Sequence, residues 1–200
     1  MRDTSQYILN GTRYPSPSEI LSTLGFNAGM MSIPEDILEA AAARGNRVHD
    51  WAEAFLLGRR APIPAAREEE LRCSAFVDWF EEEEPEVIDV ERLVYSHEIR
   101  VAGKLDILTQ DTDGKLVITD IKTGNSPKVY TSYPIQQALY SIAVREMNGL
   151  DYYPERRILQ LPKDGSYRLK TLDNPEDFDI ARAAASVMWR LIDEKEVRLS

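Results

Sequence analysis

The spacing of apolar residues along this 200-residue chain changes from a helical to a strand-like period near residue 86. Before that point, apolar residues recur at the i, i+3, i+4 and i+7 spacing of one helical face, as they do from Val48 to Phe55. After it, short β-branched and aromatic runs are separated by turn residues such as those at 111–114. The pattern predicts helices over residues 19–24, 34–43, 47–57, 66–84, 132–147 and 175–194, with a break at Gly45 between the second and the third. It predicts strands over residues 7–9, 12–14, 87–95, 98–109, 115–122, 156–161 and 166–171.

The order of these elements predicts the fold class. Helices are followed by three strands, a helix, two strands and a last helix, which is typical of an α/β or α+β sheet flanked by helices. The three central strands lie so close in sequence that an antiparallel meander is expected. The length suits one domain over residues 1–200, with a helical part at 1–85 and the sheet core and C-terminal helix at 86–200.

Composition narrows the class of protein. The chain has one cysteine, Cys73, which excludes a disulfide framework and a four-cysteine zinc or iron–sulfur site within the chain. No run approaches the roughly 20 apolar residues of a membrane span. We therefore expect a cytoplasmic protein with no membrane partner.

The charge is negative overall and unevenly distributed. A net charge of −10 argues against general affinity for nucleic acids. Residues 66–100 carry 12 acids and 4 bases, whereas residues 122–170 carry 8 bases and 4 acids. One surface of the protein could therefore be basic enough to face DNA although another surface is acidic.

The segment Asp120-Ile121-Lys122 is the most informative one for chemistry. Residues i and i+2 of a strand share a face, so Asp120 and Lys122 are predicted to point the same way. Asp106, on the preceding strand, is expected opposite residues 118–120 across the turn. Two carboxylates and a lysine at one sheet edge suit a metal-dependent phosphodiesterase. An ordinary acid–base pair at a strand end is the alternative.

Further polar residues could belong to the same site. His49 could bind the cation of the two aspartates, although a lone histidine on a helix is more often structural. Gln136 and Tyr140 share a helix face at i and i+4, which could instead be a half-buried surface. Glu91 is either an outer member of the site or a surface acid. Gly103 marks either a bulge or room for a ligand or for backbone near the site.

Another group of residues could contact nucleic acid. Tyr130 and Tyr133 follow the Asp120 strand and could stack on unpaired bases, although surface tyrosines are common. Three basic side chains could contact the phosphates of nucleic acid: Arg44 and Arg47, which precede His49, and Lys128, which precedes Tyr130.

Taken together, these residues resemble the RecB-like branch of the PD-(D/E)xK nuclease superfamily. The chain is similar in particular to small phage-type exonucleases and to mitochondrial genome maintenance exonuclease. No single motif is specific, but the set occurs in the order of that family over about 130 residues. The matching segments are residues 14–21 (YPSPSEIL), 44–49 (RGNRVH), 90–91 (VE), 102–106 (AGKLD), 119–124 (TDIKTG) and 136–140 (QQALY).

The resemblance implies a restriction-endonuclease-like core with a central mixed sheet, and a set of site residues. Mg²⁺ or Mn²⁺ would be bound by His49, Asp106, Asp120 and the backbone carbonyl of Ile121. Catalysis would involve the two aspartates together with Lys122, Gln136 and Tyr140. Glu91 matches an acid that this branch often carries before the aspartate strand.

The chain departs from the family pattern at three points. No proline precedes Asp106, which the branch commonly tolerates. The cysteines that bind an iron–sulfur cluster in some relatives are missing, so no such cluster is expected. The strong negative charge puts tight binding of duplex DNA in doubt.

The function that these observations favour is a metal-dependent DNA exonuclease of phage or prophage recombination, replication or repair. Its substrate would be single-stranded DNA or a duplex end, and a recombination or replication protein could be its partner. The alternatives are a structure-specific endonuclease or flap nuclease on the same scaffold, and a non-catalytic domain that binds DNA or a protein.

Overall fold

The computed structural model describes residues 7–26 and 33–199. Within these ranges the chain forms seven strands and five helices. The strands are β1 (Ile8–Leu9), β2 (Thr12–Arg13), β3 (Glu86–Ser96), β4 (Val101–Gln110), β5 (Leu116–Lys122), β6 (Glu155–Gln160) and β7 (Arg168–Thr171). The helices are α1 (Pro17–Thr23), α2 (Glu35–Leu56), α3 (Arg67–Glu83), α4 (Ser132–Asn148) and α5 (Glu176–Asp193).

Strands β3 to β7 form one sheet in chain order. Strands β5 and β6 run parallel, and the other neighbouring strands of this sheet run antiparallel. Helix α4 connects β5 to β6, because parallel neighbours need a crossover that returns the chain to the same end of the sheet. The predicted α/β fold with a central mixed sheet flanked by helices is confirmed.

The sheet lies between two helical layers. Ile107 and Leu108 are consecutive in β4 and therefore point to opposite faces. Ile107 belongs to a core that includes Phe76 of α3 and residues of α2, whereas Leu108 packs with Val144 of α4. Helices α1 and α5 pack on α4. This arrangement places α2 and α4 on either side of β5, so that each can deliver side chains to its carboxyl end.

The predicted break of the second helix at Gly45 is wrong, because α2 is continuous from Glu35 to Leu56. Glycine in a helix interior costs only about 1 kcal/mol relative to alanine. Burial of Val48 and Ala52 against the core outweighs that cost. Gly45 also allows a close approach, since a Cβ there would lie 3.3 Å from Thr123 Oγ1.

The strand predicted from residue 98 begins later, at Val101. Residues 97–100 form a turn instead, and Glu146 of α4 holds it. The Glu146 carboxylate accepts hydrogen bonds from Ser96 Oγ and from the backbone N–H groups of His97 and Glu98. A distant carboxylate therefore sets the start of β4, and local propensity does not reveal it.

Across the described ranges, none of the helices combines the length and the apolar character that crossing a bilayer requires.

Candidate active site

The β4–β5 hairpin brings the two predicted aspartates together. Ile107 pairs with Thr119, so Asp106 and Asp120 occupy neighbouring positions on adjacent strands. Asp106 Oδ2 accepts a hydrogen bond from the backbone N–H of Ile121 at 2.8 Å. Ile121 lies beyond the last backbone-paired residues of the two strands. The carboxylate thus replaces a backbone acceptor and fixes the end of β5 to β4.

His49 reaches this point from α2. Its Nε2 lies 3.1 Å from the carbonyl oxygen of Ile121, and its Nδ1 lies 3.5 Å from Asp106 Oδ2. The close packing of Gly45 on Thr123, one helical turn before His49, brings this part of the helix against the strand end. Three of the four predicted metal-binding groups therefore meet: the imidazole, the Asp106 carboxylate and the Ile121 carbonyl.

Glu91 of β3 joins the same cluster. One potential ligand atom from each of His49, Glu91 and Asp106 lies within 4.8 Å of the other two. Glu91 has φ 49°, a left-handed conformation that is uncommon for a residue with a side chain inside a strand. Strained residues of this kind concentrate at functional sites. Glu91, expected at most in an outer position, is thus placed where its carboxylate could bind a cation directly.

Lys122 and Asp120 form a close pair beside that cluster. Lys122 Nζ lies 2.7 Å from Asp120 Oδ2 and donates to Gln136 Oε1 at 3.1 Å. It also lies 4.8 Å from the centre of the Tyr133 ring. The contact with Asp120 is an ion pair, and the buried Oδ2 atom makes no further hydrogen bond. A carboxylate oxygen can accept more than one partner, so Oδ2 could also bind a cation.

Helix α4 supplies the two remaining predicted residues. Gln136 faces Lys122, and Tyr140 lines the same cavity one turn further along the helix. Gly103 makes room for the tyrosine, because a Cβ at that position would lie 3.1 Å from Tyr140 Cε1 and 3.0 Å from Pro17 Cδ. Gly103 pairs in regular register with Val94, so it is not a bulge, and the space that it leaves is filled by the side chains of Tyr140 and Pro17.

The charges of the site shift one another's pKa values. Burial would raise the pKa of Asp106, but the charges of His49 and Lys122 and the hydrogen bond from the Ile121 N–H outweigh it and lower the pKa to about 2. Burial raises the pKa of Asp120, despite the opposing effect of Lys122. Burial would lower the pKa of His49, and Asp106 more than offsets this, so that it is raised. Asp106 is therefore the firmly ionised carboxylate, as a ligand of a hard cation must be.

These side chains surround an open cavity of about 530 Å³. The donor set fits a hard divalent cation, since carboxylate and carbonyl oxygens dominate it and an imidazole completes it. Two buried atoms without hydrogen-bond partners, His49 Nδ1 and Asp120 Oδ2, belong to residues that line the cavity. Each of these atoms faces one charged neighbour without making a hydrogen bond to it, so a cation could supply a further partner.

The structure separates the residues that were predicted to contact DNA. Arg44 and Tyr133 line the cavity. Arg47 instead pairs with the buried carboxylate of Glu69, which ties α2 to α3. Lys128 and Tyr130 lie further along the loop that follows β5, where both are exposed.

Arg72 is a residue that the sequence analysis missed. It is fully buried on α3 and donates to the carbonyl of Thr123 at 3.2 Å and to Asn125 Oδ1 at 3.0 Å. It therefore holds the loop that directly follows Lys122. The signal was present, because Arg72 shares the i, i+4, i+7 face of Phe76 and Trp79, where a charge is out of place.

Residues 57–199 match the family model of the PD-(D/E)XK nuclease superfamily. The chain belongs to this superfamily. The matched part of this PD-(D/E)XK chain contains Glu91, Asp106, Asp120 and Lys122. It begins after His49, so the place of the histidine in the site rests on the geometry described above.

Solved structures with the same fold are similar to this PD-(D/E)XK chain at low sequence identity. A provisionally named exonuclease from Eubacterium rectale is 14% identical with a TM-score of 0.61, over 99% of this chain and 89% of that one. LHK-Exo, an alkaline exonuclease from Laribacter hongkongensis, is 16% identical with a TM-score of 0.50, over 91% and 89% of the two chains. A structure of LHK-Exo in complex with dAMP is 17% identical with a TM-score of 0.51, over 92% of this chain and 90% of that one. No curated protein matches the chain.

Proposed function

We propose that this chain is a Mg²⁺- or Mn²⁺-dependent DNA exonuclease that hydrolyses phosphodiester bonds. One observation carries the proposal: His49, Asp106, the Ile121 carbonyl and the Asp120–Lys122 pair converge on one open cavity in a chain of a nuclease superfamily. Two buried atoms of these side chains, His49 Nδ1 and Asp120 Oδ2, make ion-pair contacts but no hydrogen bond, so each could also act as a ligand of a cation.

The metal would be held by His49, Asp106, Asp120 and the Ile121 carbonyl, with Glu91 as a further carboxylate within reach. When bound, the ion would activate a water and stabilise the charge on the phosphate oxygens. The protein prepares this site in advance. By accepting the Ile121 N–H, Asp106 fixes a residue whose carbonyl oxygen faces His49.

The catalytic role that we assign to the protein itself centres on Lys122. Its ammonium group is held by Asp120 and Gln136 at the cavity, where it would stabilise negative charge that develops on the scissile phosphate. Tyr140, pressed against Gly103, would shape the wall beside it. Arg44 lines the same cavity and would attract the phosphate backbone of the substrate.

DNA is the proposed substrate, and recombination, replication or repair of phage or prophage DNA is the proposed setting. The complex of LHK-Exo with dAMP is a property of that protein, but it motivates testing nucleotides in the cavity of this one. A recombination or replication protein that supplies positive charge would help an acidic chain to stay on DNA.

The test is digestion of end-labelled linear DNA, single- and double-stranded, with Mg²⁺ or Mn²⁺ and with EDTA. We expect metal-dependent release of short products. In Lys122→Ala the rate should fall by about 10²–10³-fold, because a single stabiliser of transition-state charge has been removed. Lys115→Ala is the matched control, since Lys115 is an exposed lysine before the same strand.

Circular DNA separates the two nuclease activities. An exonuclease leaves closed circles intact, whereas an endonuclease or flap nuclease on this scaffold would cut circles or branched DNA. Cleavage that survives in a clean Lys122→Ala preparation, or that needs no metal, would contradict the proposed site. Intact DNA under every condition would favour the non-catalytic alternative.

A further inference from the structure

A row of two tyrosine side chains with a lysine at each end leads from the cavity to the loop after β5. Lys122 Nζ lies 4.8 Å from the centre of the Tyr133 ring, and the rings of Tyr133 and Tyr130 are 5.5 Å apart. Lys128 Nζ lies 5.4 Å from the centre of the Tyr130 ring. We call these four residues the tyrosine track. It begins at the proposed catalytic lysine and ends at the surface.

The outer end of the tyrosine track is open to a ligand. Tyr130 is 38% exposed, and Lys128 is exposed as well. At 5.4 Å the ammonium group of Lys128 is near the ring without being locked to it. A base could displace it and stack on Tyr130, while the freed lysine meets a phosphate of the same strand.

The loop that carries the tyrosine track is fixed by two buried side chains. Gln160 of β6 donates to the carbonyl oxygens of Ser126 and Lys128, both at 3.3 Å. Arg72 holds Thr123 and Asn125 at the start of the loop. Little ordering of the backbone would then be needed when a strand binds, which is the advantage of a preorganised binding surface.

The chemistry of the tyrosine track suits unpaired DNA. In a duplex the faces of the bases are stacked on one another and cannot reach a tyrosine. A single strand offers base faces to the rings and phosphates to the lysines. It also has a lower charge density than duplex DNA, which favours its binding to a chain with a net charge of −10.

We propose that the tyrosine track binds single-stranded DNA and guides an unpaired end into the cavity. This inference rests on the proposed nuclease function for its purpose, but the binding itself does not require cleavage. Tyr130 is a positioning residue here, because it would contact the strand at a base that is remote from the reacting phosphate.

The test is fluorescence anisotropy in EDTA, so that binding is measured without cleavage. The probes are a labelled oligothymidylate and a blunt duplex of the same length. We expect tighter binding of the single strand. Tyr130→Ala should weaken that binding by about tenfold, as the loss of one stacked base would. Tyr130→Phe should restore it, because the ring is retained and only the hydroxyl is lost.

Lys128→Ala and Lys115→Ala form a matched pair of charge variants. Each removes one exposed lysine near a tyrosine ring, but Lys115 lies beside Tyr152 at the opposite end of β5. We expect only Lys128→Ala to weaken binding of the single strand and to reduce its salt dependence. An equal effect of both would mean that net charge alone governs binding, and would overturn the proposal.

Two further outcomes separate this inference from the proposed nuclease activity. If the protein degrades duplex and single-stranded DNA equally and Tyr130→Ala changes neither, the tyrosine track is refuted while the nuclease stands. If the single strand binds through Tyr130 but no metal supports cleavage, the tyrosine track stands and the nuclease is refuted.

Discussion

Two groups of buried charges in this protein differ in how completely their polar atoms are satisfied. Arg156 of β6 and Asp177 of α5 form a buried pair at 2.9 Å, and the arginine also donates to the carbonyls of Pro134 and Asn174. The cluster around Asp106 also buries charged groups, since Asp106 is 8% and Asp120 3% exposed. It nevertheless leaves His49 Nδ1 and Asp120 Oδ2 without hydrogen bonds.

The difference distinguishes a structural use of buried charge from a functional one. Burying an ion without sufficient partners is unfavourable, so a pair that serves stability should be fully bonded, as Arg156 and Asp177 are. A site that must bind a cation has to keep oxygen and nitrogen atoms available. The predictions below ask whether the two groups respond to mutation in these opposite ways.

The largest effect should be the loss of activity in Asp106→Asn. Removing the firmly ionised carboxylate should lower kcat/KM for DNA cleavage by about 10³-fold or more, the equivalent of about 4 kcal/mol of transition-state stabilisation. The unfolding free energy in EDTA should fall by no more than about 2 kcal/mol, because the attraction of the carboxylate to His49 is lost while the amide oxygen can still accept the Ile121 N–H. Cleavage assays and urea unfolding measure the two quantities.

Asp113→Asn is the matched control, since Asp113 is an exposed acid in the turn that joins β4 to β5. It should leave cleavage unchanged. If Asp106→Asn instead unfolded the protein and spared cleavage in the folded fraction, the Asp106 cluster would be structural and the comparison would fail.

The opposite response is expected at the structural pair. Asp177→Ala should destabilise the protein by about 3 kcal/mol, because it leaves the buried guanidinium of Arg156 without its counter-charge. The loss should be the same with and without Mn²⁺. Urea denaturation with each addition measures it, and Asp179→Ala, on the exposed side of the same helix turn, should have almost no effect. A loss that appeared only without metal would contradict the structural assignment.

Some features of this candidate site could be predicted from the sequence, and others could not. The β4–β5 hairpin was predictable because the pairing is local and a turn at 111–114 sets its register, which places Asp106 opposite the right segment. The parallel pairing of β5 with β6 is not local, and only the resemblance to a family indicated a mixed sheet.

Glu91 shows where sequence reasoning ends. Its carboxylate lies beside His49 and Asp106, where it could bind a cation, and its backbone takes a left-handed conformation that no residue pattern around it predicts. Arg72 was missed for another reason. Its place on the apolar face of α3 was visible, but its partners at Thr123 and Asn125 lie more than 50 residues away and depend on tertiary packing.

A smaller effect is expected from Gly103→Ala. The added Cβ would lie 3.0–3.1 Å from Pro17 and Tyr140, so the tyrosine must shift. Overpacking of this kind costs about 2 kcal/mol, and displacement of Tyr140 should lower kcat. Unfolding and cleavage assays measure both effects. In Gly124→Ala a Cβ would have nothing within 4 Å, so stability should be retained. Equal stability of the two variants would remove the packing role assigned to Gly103.

The smallest effect is expected at Glu146, whose carboxylate lies outside the candidate site and accepts three hydrogen bonds. Burial would raise the pKa of Glu146, but hydrogen bonds from Ser96, His97 and Glu98 lower it below its ordinary value of 4.5. A lowered pKa means that the ionised form stabilises the fold above pH 4.5, and that this stabilisation is lost as the pH falls through the folded-state pKa. Glu146→Gln should therefore be less stable than the wild type at pH 7.

The difference between Glu146→Gln and the wild type should shrink in acid. Urea unfolding between pH 7 and pH 3 measures it, and Glu155→Gln, an exposed acid at the start of β6, serves as control. A constant difference across that range would show that hydrogen bonding to the ionised carboxylate is not what holds the turn before β4.

The most direct measurement of the central claim is a calorimetric titration of the metal-free protein with Mn²⁺. The wild type and Lys122→Ala should both bind Mn²⁺, because the lysine is assigned to catalysis and not to the metal. Asp106→Asn should bind at least about tenfold more weakly, and Asp177→Asn, measured while folded, should bind like the wild type. Comparing Glu91→Gln with Asp120→Asn would show which second carboxylate holds the ion. A wild type that takes up no Mn²⁺, or an Asp106→Asn variant that binds as tightly, would contradict the proposal that this cluster is a metal centre.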